Sequence, residues 1–381
     1  MDFNLSSEQT MIKNTVRDFA ENEIKPVAQE LDEEEKFSYE LTEKMGELGL
    51  FGMYIPSQYG GQGMDTLSYI IAVEELARID GSQAATLAAH NSLGIGPIYY
   101  YGTEEQKNKY LPQLCTGKGL WAFGLTEPNA GSDSRGTKTK AELKDGNWII
   151  NGSKIFITNG ASDIALGTTV QAITGEKDGR KEYSTIIVER DVEGFKRVAM
   201  QKKMMWRASD TSELYFDNCS VPNENLLGKR GQGSHIMLAT LDNGRLSIGA
   251  MGLGLAQGAF ELALSHAKER QQFGRPISKF QAISFKLADM ATKIELGRNL
   301  LYKACWLKDN RKPFAKEAAM AKLYCSEIAK EVADEAVQIH GGYGLMKEYD
   351  VERFYRDQRL LQIGEGTSEI QRLVISRYIG C

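Results

Sequence analysis

Residues 121–133 read Trp121-Ala122-Phe123-Gly124-Leu125-Thr126-Glu127-Pro128-Asn129-Ala130-Gly131-Ser132-Asp133, and the texture of the chain changes there. The run leading to Thr126 has the aromatic and apolar density of a strand, and Pro128 and Gly131 mark a loop behind it. Such a loop exposes backbone amides and small hydroxyls. It suits a plain β-turn, and it equally suits a cradle for a heteroaromatic ring edge and a pyrophosphate. Upstream, residues 1–120 read mostly as helices. Ile12, Val16, Phe19, Ile24 and Val27 follow a helical period behind Ser6 or Ser7 as N-cap. Residues 56–63 form a Pro- and Gly-rich loop, and helices are predicted around 65–80 and 103–114.

Downstream to about residue 228 come short Val-, Ile- and Thr-rich runs with the turn pairs Asp145-Gly146, Asn151-Gly152 and Asn159-Gly160. Residues 141–143 and 148–150 flank the first pair and predict a hairpin. After Gly233 the helical period returns over 234–268, 278–308 and 313–339, with a last helix near 367–378. Long helices without internal Pro suggest a bundle. The fold class is therefore α+β. An N-terminal helical domain (1–120) precedes a middle antiparallel β domain (121–230) and a four-helix-bundle-like C-terminal domain (231–381).

Composition narrows the function. Lys and Arg total 46 against 51 Asp and Glu, a net charge of -5 without a long basic run. That disfavours nucleic acid and an anionic membrane surface as partners. No apolar run stands out as a membrane span, and Met1 to Glu8 lack the basic and apolar regions of a secretory signal. The five cysteines and four histidines show no metal-ligand spacing, so a reduced cytoplasmic protein without a metal is expected. A nicotinamide fingerprint is also missing. The nearest glycine cluster, residues 252–258, lies inside a helical pattern without a preceding strand, and close helix packing explains it.

Three further segments carry chemistry. In Asn151-Gly152-Ser153-Lys154-Ile155-Phe156-Ile157-Thr158-Asn159-Gly160, strand alternation puts Phe156 and Thr158 on one face. In Arg270-Gln271-Gln272-Phe273-Gly274-Arg275-Pro276-Ile277, two arginines at a helix junction can neutralise a phosphate or form a solvated edge. In Ile363-Gly364-Glu365-Gly366-Thr367-Ser368-Glu369, a carboxylate sits between two glycines just before a helix. Desolvation by an apolar substrate would raise the pKa of Glu365 toward the working range of a general base.

Together these segments, with Gln338-Ile339-His340-Gly341-Gly342-Tyr343-Gly344, resemble the acyl-CoA dehydrogenase family from about Leu5 to Tyr378. The resemblance implies non-covalent FAD in a homotetramer built as a dimer of dimers. Phe123, Leu125, Thr126, Phe156 and Thr158 would surround the flavin ring, and Ser132 would reach the FAD pyrophosphate or the CoA. Arg270, Phe273 and Gln281 would cross to a neighbouring subunit's FAD. Gln338, Gly341 and Gly342 would line its adenosine end, and Thr367 and Glu369 its pyrophosphate and adenosine side. Leu241-Asp242-Asn243-Gly244-Arg245 resembles the CoA-contacting segment, with Asp242 and Arg245 as contacts and Gly366 as a further substrate-binding residue. Glu365 matches the family's base. Its backbone amide, with a ribityl hydroxyl of FAD, would stabilise the enolate, the flavin N5 would take the hydride, and electron-transfer flavoprotein would be the partner.

Departures from the family pattern bear on the acyl group. Some relatives carry the base at the position of Gly244, which leaves Glu365 as the matched candidate. The residue before the base is often Tyr and here is Gly364, which would widen the pocket. His90 and Asn91 would stand near the acyl end or serve helix–helix hydrogen bonding. The expected substrate is a compact CoA thioester: short-chain, α-branched or alicyclic, such as a cyclohexane- or cyclohexene-carboxyl group. An acyl-CoA oxidase and a non-catalytic acyl-CoA-binding homologue are the competing readings.

Overall fold

The structure, a computed structural model, describes residues 4–381, so Met1–Phe3 lie outside the described residues. Ser6 caps α1 (Ser7–Phe19) through a capping box with Gln9. A π-helical stretch, Ala20–Ile24, joins α1 to α2 (Lys25–Glu34), and α3 spans Tyr39–Glu47. Asp65 caps α4 (Thr66–Ala77), and Asp80 caps α5 (Gly81–Ala88). A second π-helical stretch, Ala89–Gly94, leads into α6 (Ile95–Tyr101), and α7 covers Glu104–Leu114.

The strands are β1 (Leu120–Gly124), β2 (Lys140–Lys144), β3 (Asn147–Thr158), β4 (Ala165–Lys177), β5 (Arg180–Glu189), β6 (Phe195–Ala199), β7 (Thr211–Pro222) and β8 (Leu226–Leu227). The expected hairpin forms, with Ala141 opposite Ile150 and Leu143 opposite Trp148. The sheet order is β6-β7-β3-β2-β4-β5-β8, with β1 against β4. It is not wholly antiparallel, as the sequence suggested: β1 runs parallel to β4, and β2 meets β4 in parallel at Lys140 and Ile173. The β2–β3 hairpin between β1 and β4 supplies the long crossover that a parallel pair needs.

Two further expectations in β3 need correction. Asn151-Gly152 is no turn but a register shift inside the strand, where Gly152 has φ 149° and a Cβ would meet Thr139 Oγ1 at 2.4 Å. Phe156 does not simply alternate with Thr158 either. A second register shift falls between Lys154 and Ile157, and Phe156 takes φ +61°, which turns its ring outward.

The C-terminal part comprises α8 (Gly233–Glu269), the two-residue strands β9 (Gln271–Gln272) and β10 (Arg275–Pro276), α9 (Gln281–Asp309), α10 (Ala315–His340), α11 (Val351–Asp357) and α12 (Ser368–Ile379). By length and composition α8 is apolar enough to cross a membrane, contrary to the sequence reading, yet 78% of that window is buried inside the protein. It is the central core helix, packed on α10, α4 and α9. The glycines of 252–258 make that packing possible. A Cβ at Gly254 would lie 2.3 Å from Glu74 O, and one at Gly258 2.0 Å from Arg78 O.

Candidate active site

Glu365 lies in the turn between α11 and α12, with φ +52°, and Gly366 follows at φ +94°. Its Oε2 is buried without a hydrogen-bond partner. Burial raises the carboxyl to about 7, while the charges of Lys322 and Arg245 pull it the other way. The carboxylate rests against α8 at Gly244, where a Cβ would lie 1.8 Å from Oε2 and 3.0 Å from Leu93 Cδ2. A buried carboxyl that titrates near neutrality and has an unused oxygen can take up a proton from a bound molecule.

The end of β1 reaches the same place. Phe123 and Leu125 form a small apolar cluster with Met237, against which Leu93 and Leu241 pack. Thr126 is half-buried in the following loop, and its carbonyl accepts the Ile155 N–H of β3 at 3.0 Å. Phe156 is exposed and Thr158 half-buried further along β3. Ser132 is exposed in the β1–β2 loop.

Arg245 is buried and pairs with Asp242 on the same helix, with Nε left unpartnered. Thr367 caps α12 by accepting the Ile370 N–H, so its hydroxyl serves the helix, and Glu369 is exposed in the first turn.

A separate cleft of about 490 Å³ is lined by Arg270, Gly341 and Gly342 together with His266, Gln272 and Tyr343. Neither glycine has a neighbour within 4 Å of its Cβ position, so a ligand can approach the backbone there. Gln338 and Gln281 are exposed outside that lining. Phe273 tips the β9–β10 hairpin at φ +52° and is 94% exposed.

Asn91, expected as a substrate contact or a helix–helix hydrogen-bonding residue, makes two buried hydrogen bonds to backbone. Its Oδ1 accepts the Gly52 N–H at 2.7 Å and its Nδ2 donates to Leu50 O at 2.8 Å, so both polar ends are spent on the fold. His90 is likewise structural: Nε2 lies 2.9 Å from Leu114 O, Nδ1 lies 3.1 Å from the Trp121 amide, and burial lowers the ring to about 4. At Gly364 a Cβ would lie 3.0 Å from Leu360 Cδ2, the end of a flexible side chain.

Sequence reasoning passed over two buried lysines. Lys154 Nζ donates to Glu127 Oε1 at 2.8 Å and to Leu125 O at 3.2 Å. Glu127 also accepts the amides of Lys138 and Thr139. Burial lowers Lys154 to about 8, but the pair holds the loop after β1 to β3. Lys322 lies on the buried stripe of α10 with Ala318 and Cys325, and a cation in an apolar stripe was the available signal.

The acyl-CoA dehydrogenase N-terminal, middle and C-terminal domain families match residues 6–118, 122–219 and 231–380. A probable acyl-CoA dehydrogenase of Bacillus subtilis is 51% identical over 380 residues, covering 100% of both chains. The solved butyryl-CoA dehydrogenase of Megasphaera elsdenii superposes with a TM-score of 0.96 at 45% identity, covering 100% of both chains. A chain from a structure titled for the electron transferring flavoprotein of Acidaminococcus fermentans gives 0.97 at 48% identity, with the same coverage. With all three domain families matched in order and relatives of this identity along the whole length, the chain belongs to the acyl-CoA dehydrogenase family.

Proposed function

We propose that the chain is an FAD-dependent dehydrogenase of compact acyl-CoA thioesters, with Glu365 as the base that removes the α-proton. The observation that carries this reading is the Glu365 carboxyl itself, raised to about 7 with Oε2 buried and unpartnered. A base of that strength, desolvated further by an apolar acyl group, can hold a proton at Oε2 at neutral pH. Its backbone amide lies in the same turn and would meet the thioester oxygen as negative charge develops.

The residues present fit FAD. Phe156 offers an exposed ring above β3, and the cleft at Arg270, Gly341 and Gly342 has a cation beside open backbone. Phe123, Leu125, Thr126, Phe156 and Thr158 would flank the flavin, with Ser132 and Thr367 near its phosphates. When bound, FAD supplies the acceptor for the β-hydride. Arg270, Phe273 and Gln281 would serve a neighbouring subunit's FAD in a homotetramer, which agrees with the exposed ring of Phe273. Electron-transfer flavoprotein is the proposed acceptor, supported by the likeness to the Acidaminococcus fermentans chain.

A hydroxyl chain behind the base supports a short acyl group. Ser247 Oγ lies 2.8 Å from Gly244 O and 3.2 Å from Ser92 Oγ. Ser92 and Tyr69 both donate to Ala88 O, at 2.6 Å and 3.1 Å. A long apolar chain driven past Leu93 would have to break these buried bonds. The test is anaerobic bleaching of the flavin by butyryl-, isobutyryl-, cyclohexanecarboxyl- and octanoyl-CoA. Fast bleaching by butyryl-CoA with octanoyl-CoA slow supports a short pocket. Preference for the branched or ring thioesters selects the compact alicyclic reading, and fast bleaching by octanoyl-CoA refutes both.

A further inference from the structure

Burying a lysine costs free energy unless its charge is used. Lys322, on α10, is 0% exposed and forms no ion pair among the described residues. Its Nζ makes a 2.7 Å hydrogen bond to Gly366 O, the carbonyl directly after the base. Gln371 of α12, also 0% exposed, donates to the same carbonyl at 3.0 Å and to Glu365 O at 3.2 Å. Two helices thus clamp the two carbonyls of a turn whose residues both have positive φ, a conformation Glu365 adopts only at a cost.

A neutral donor such as Gln371 would suffice to hold the turn, so the lysine needs a further reason. Its charge faces Glu365 from α10, and Glu365 acts on it more strongly than Arg245 of α8, which opposes it, or than Glu369 of α12 and Glu327 of α10. The other cation near Glu365, Arg245 of α8, is already engaged by Asp242. We propose that Lys322 is the positioning residue of the base: it pins the Glu365–Gly366 backbone through the Gly366 carbonyl and turns an otherwise unpaired positive charge toward the Glu365 carboxylate. This rests on the reading of Glu365 as the base. The charge opposes the effect of burial on Glu365, while burial lowers Lys322 to about 8.

The test compares Lys322→Gln, Lys322→Met and Lys322→Arg in the flavin-loaded protein. The readouts are the pH profile of kcat/KM with butyryl-CoA and the infrared band of the protonated Glu365 carboxyl. Lys322→Gln loses the charge and leaves a neutral amide one bond shorter, with Gln371 still donating to Gly366 O. Its acidic midpoint and its carboxyl band should both move up by about one pH unit, with the alkaline plateau kept. Lys322→Met should move the midpoint equally and lower the plateau as well, because Gly366 O keeps only the Gln371 donor and the turn is held less firmly. Lys322→Arg should restore the midpoint.

A Lys322→Gln profile with an unmoved midpoint overturns the proposal, as does Lys322→Arg displaced as far as Lys322→Met. Should Lys322→Met fail to fold, the Gln and Arg variants decide alone. A separate control, Glu365→Gln, isolates the underlying reading: normal turnover there overturns the assignment of the base, and with it the role given to Lys322.

Discussion

The Glu365 carboxylate occupies the space in which a side chain at Gly244 would begin: a Cβ there would stand 1.8 Å from Oε2 and 2.8 Å from Cδ. The two residues come from the α11–α12 turn and the N-terminal third of α8, so their contact fixes how the base meets the helix that also carries Arg245. Gly244→Ala should therefore displace the carboxylate. We expect kcat with butyryl-CoA to fall about 100-fold while flavin content stays unchanged, as for a misplacement near one ångström. Wild-type turnover in that variant would mean that the carboxylate works from another position.

The pH dependence follows from the same group. Burial raises Glu365 to about 7, and only its ionised form accepts a proton. Activity should thus be lost as pH falls through that value and level off above it. A kcat/KM profile flat across neutral pH would contradict this.

The same shift has a stability signature. A carboxyl whose folded pKa lies above its unfolded value of 4.5 binds more protons folded than unfolded between the two values. Stability is then lost as pH rises from 4.5 toward 7, and the full penalty persists above it. Glu365→Gln should stabilise the protein by roughly 2–3 kcal/mol at neutral pH, and not at all below the unfolded value. Denaturant titrations at acid and neutral pH check the sign.

Asn91 offers a contrast. Its side chain bridges Gly52 N and Leu50 O in the core, so Asn91→Ala strands two backbone groups. It should cost about 2–4 kcal/mol in chemical denaturation. Acyl-chain preference should not change, and a shifted preference would return Asn91 to the acyl pocket.

How much of this was legible in the sequence depends on the range of the interaction. The helical periods of α8, α9 and α10 and the β2–β3 hairpin are local patterns, and each lies where the spacing predicts it. The parallel pairing of β1 with β4 was not legible, because Leu120 meets Ala165 across an intervening hairpin. Strand alternation failed at Phe156, because a left-handed residue inside a strand leaves no mark on the hydrophobic pattern. The motif around Glu365 pointed to the base, but its environment comes from Gly244, Arg245 and Lys322, far away in the chain. Their nearness is a product of helix packing, not of spacing.

Phe273 tests the assembly. Its ring is 94% exposed and meets only Phe280 edge-on at 6.0 Å among the aromatic contacts of the described residues. Phe273→Ser should leave secondary structure intact while lowering both the flavin-to-protein ratio and the sedimenting mass. Unchanged values of both would remove Phe273 from the subunit contact.

The most direct measurement compares Glu365→Gln with the unaltered protein in anaerobic flavin bleaching by butyryl-CoA. The unaltered protein should bleach rapidly. In the variant, bleaching should slow by at least about 1,000-fold while the flavin stays bound and butyryl-CoA still binds. Bleaching at the unaltered rate in the variant would contradict the assignment of Glu365 as the base.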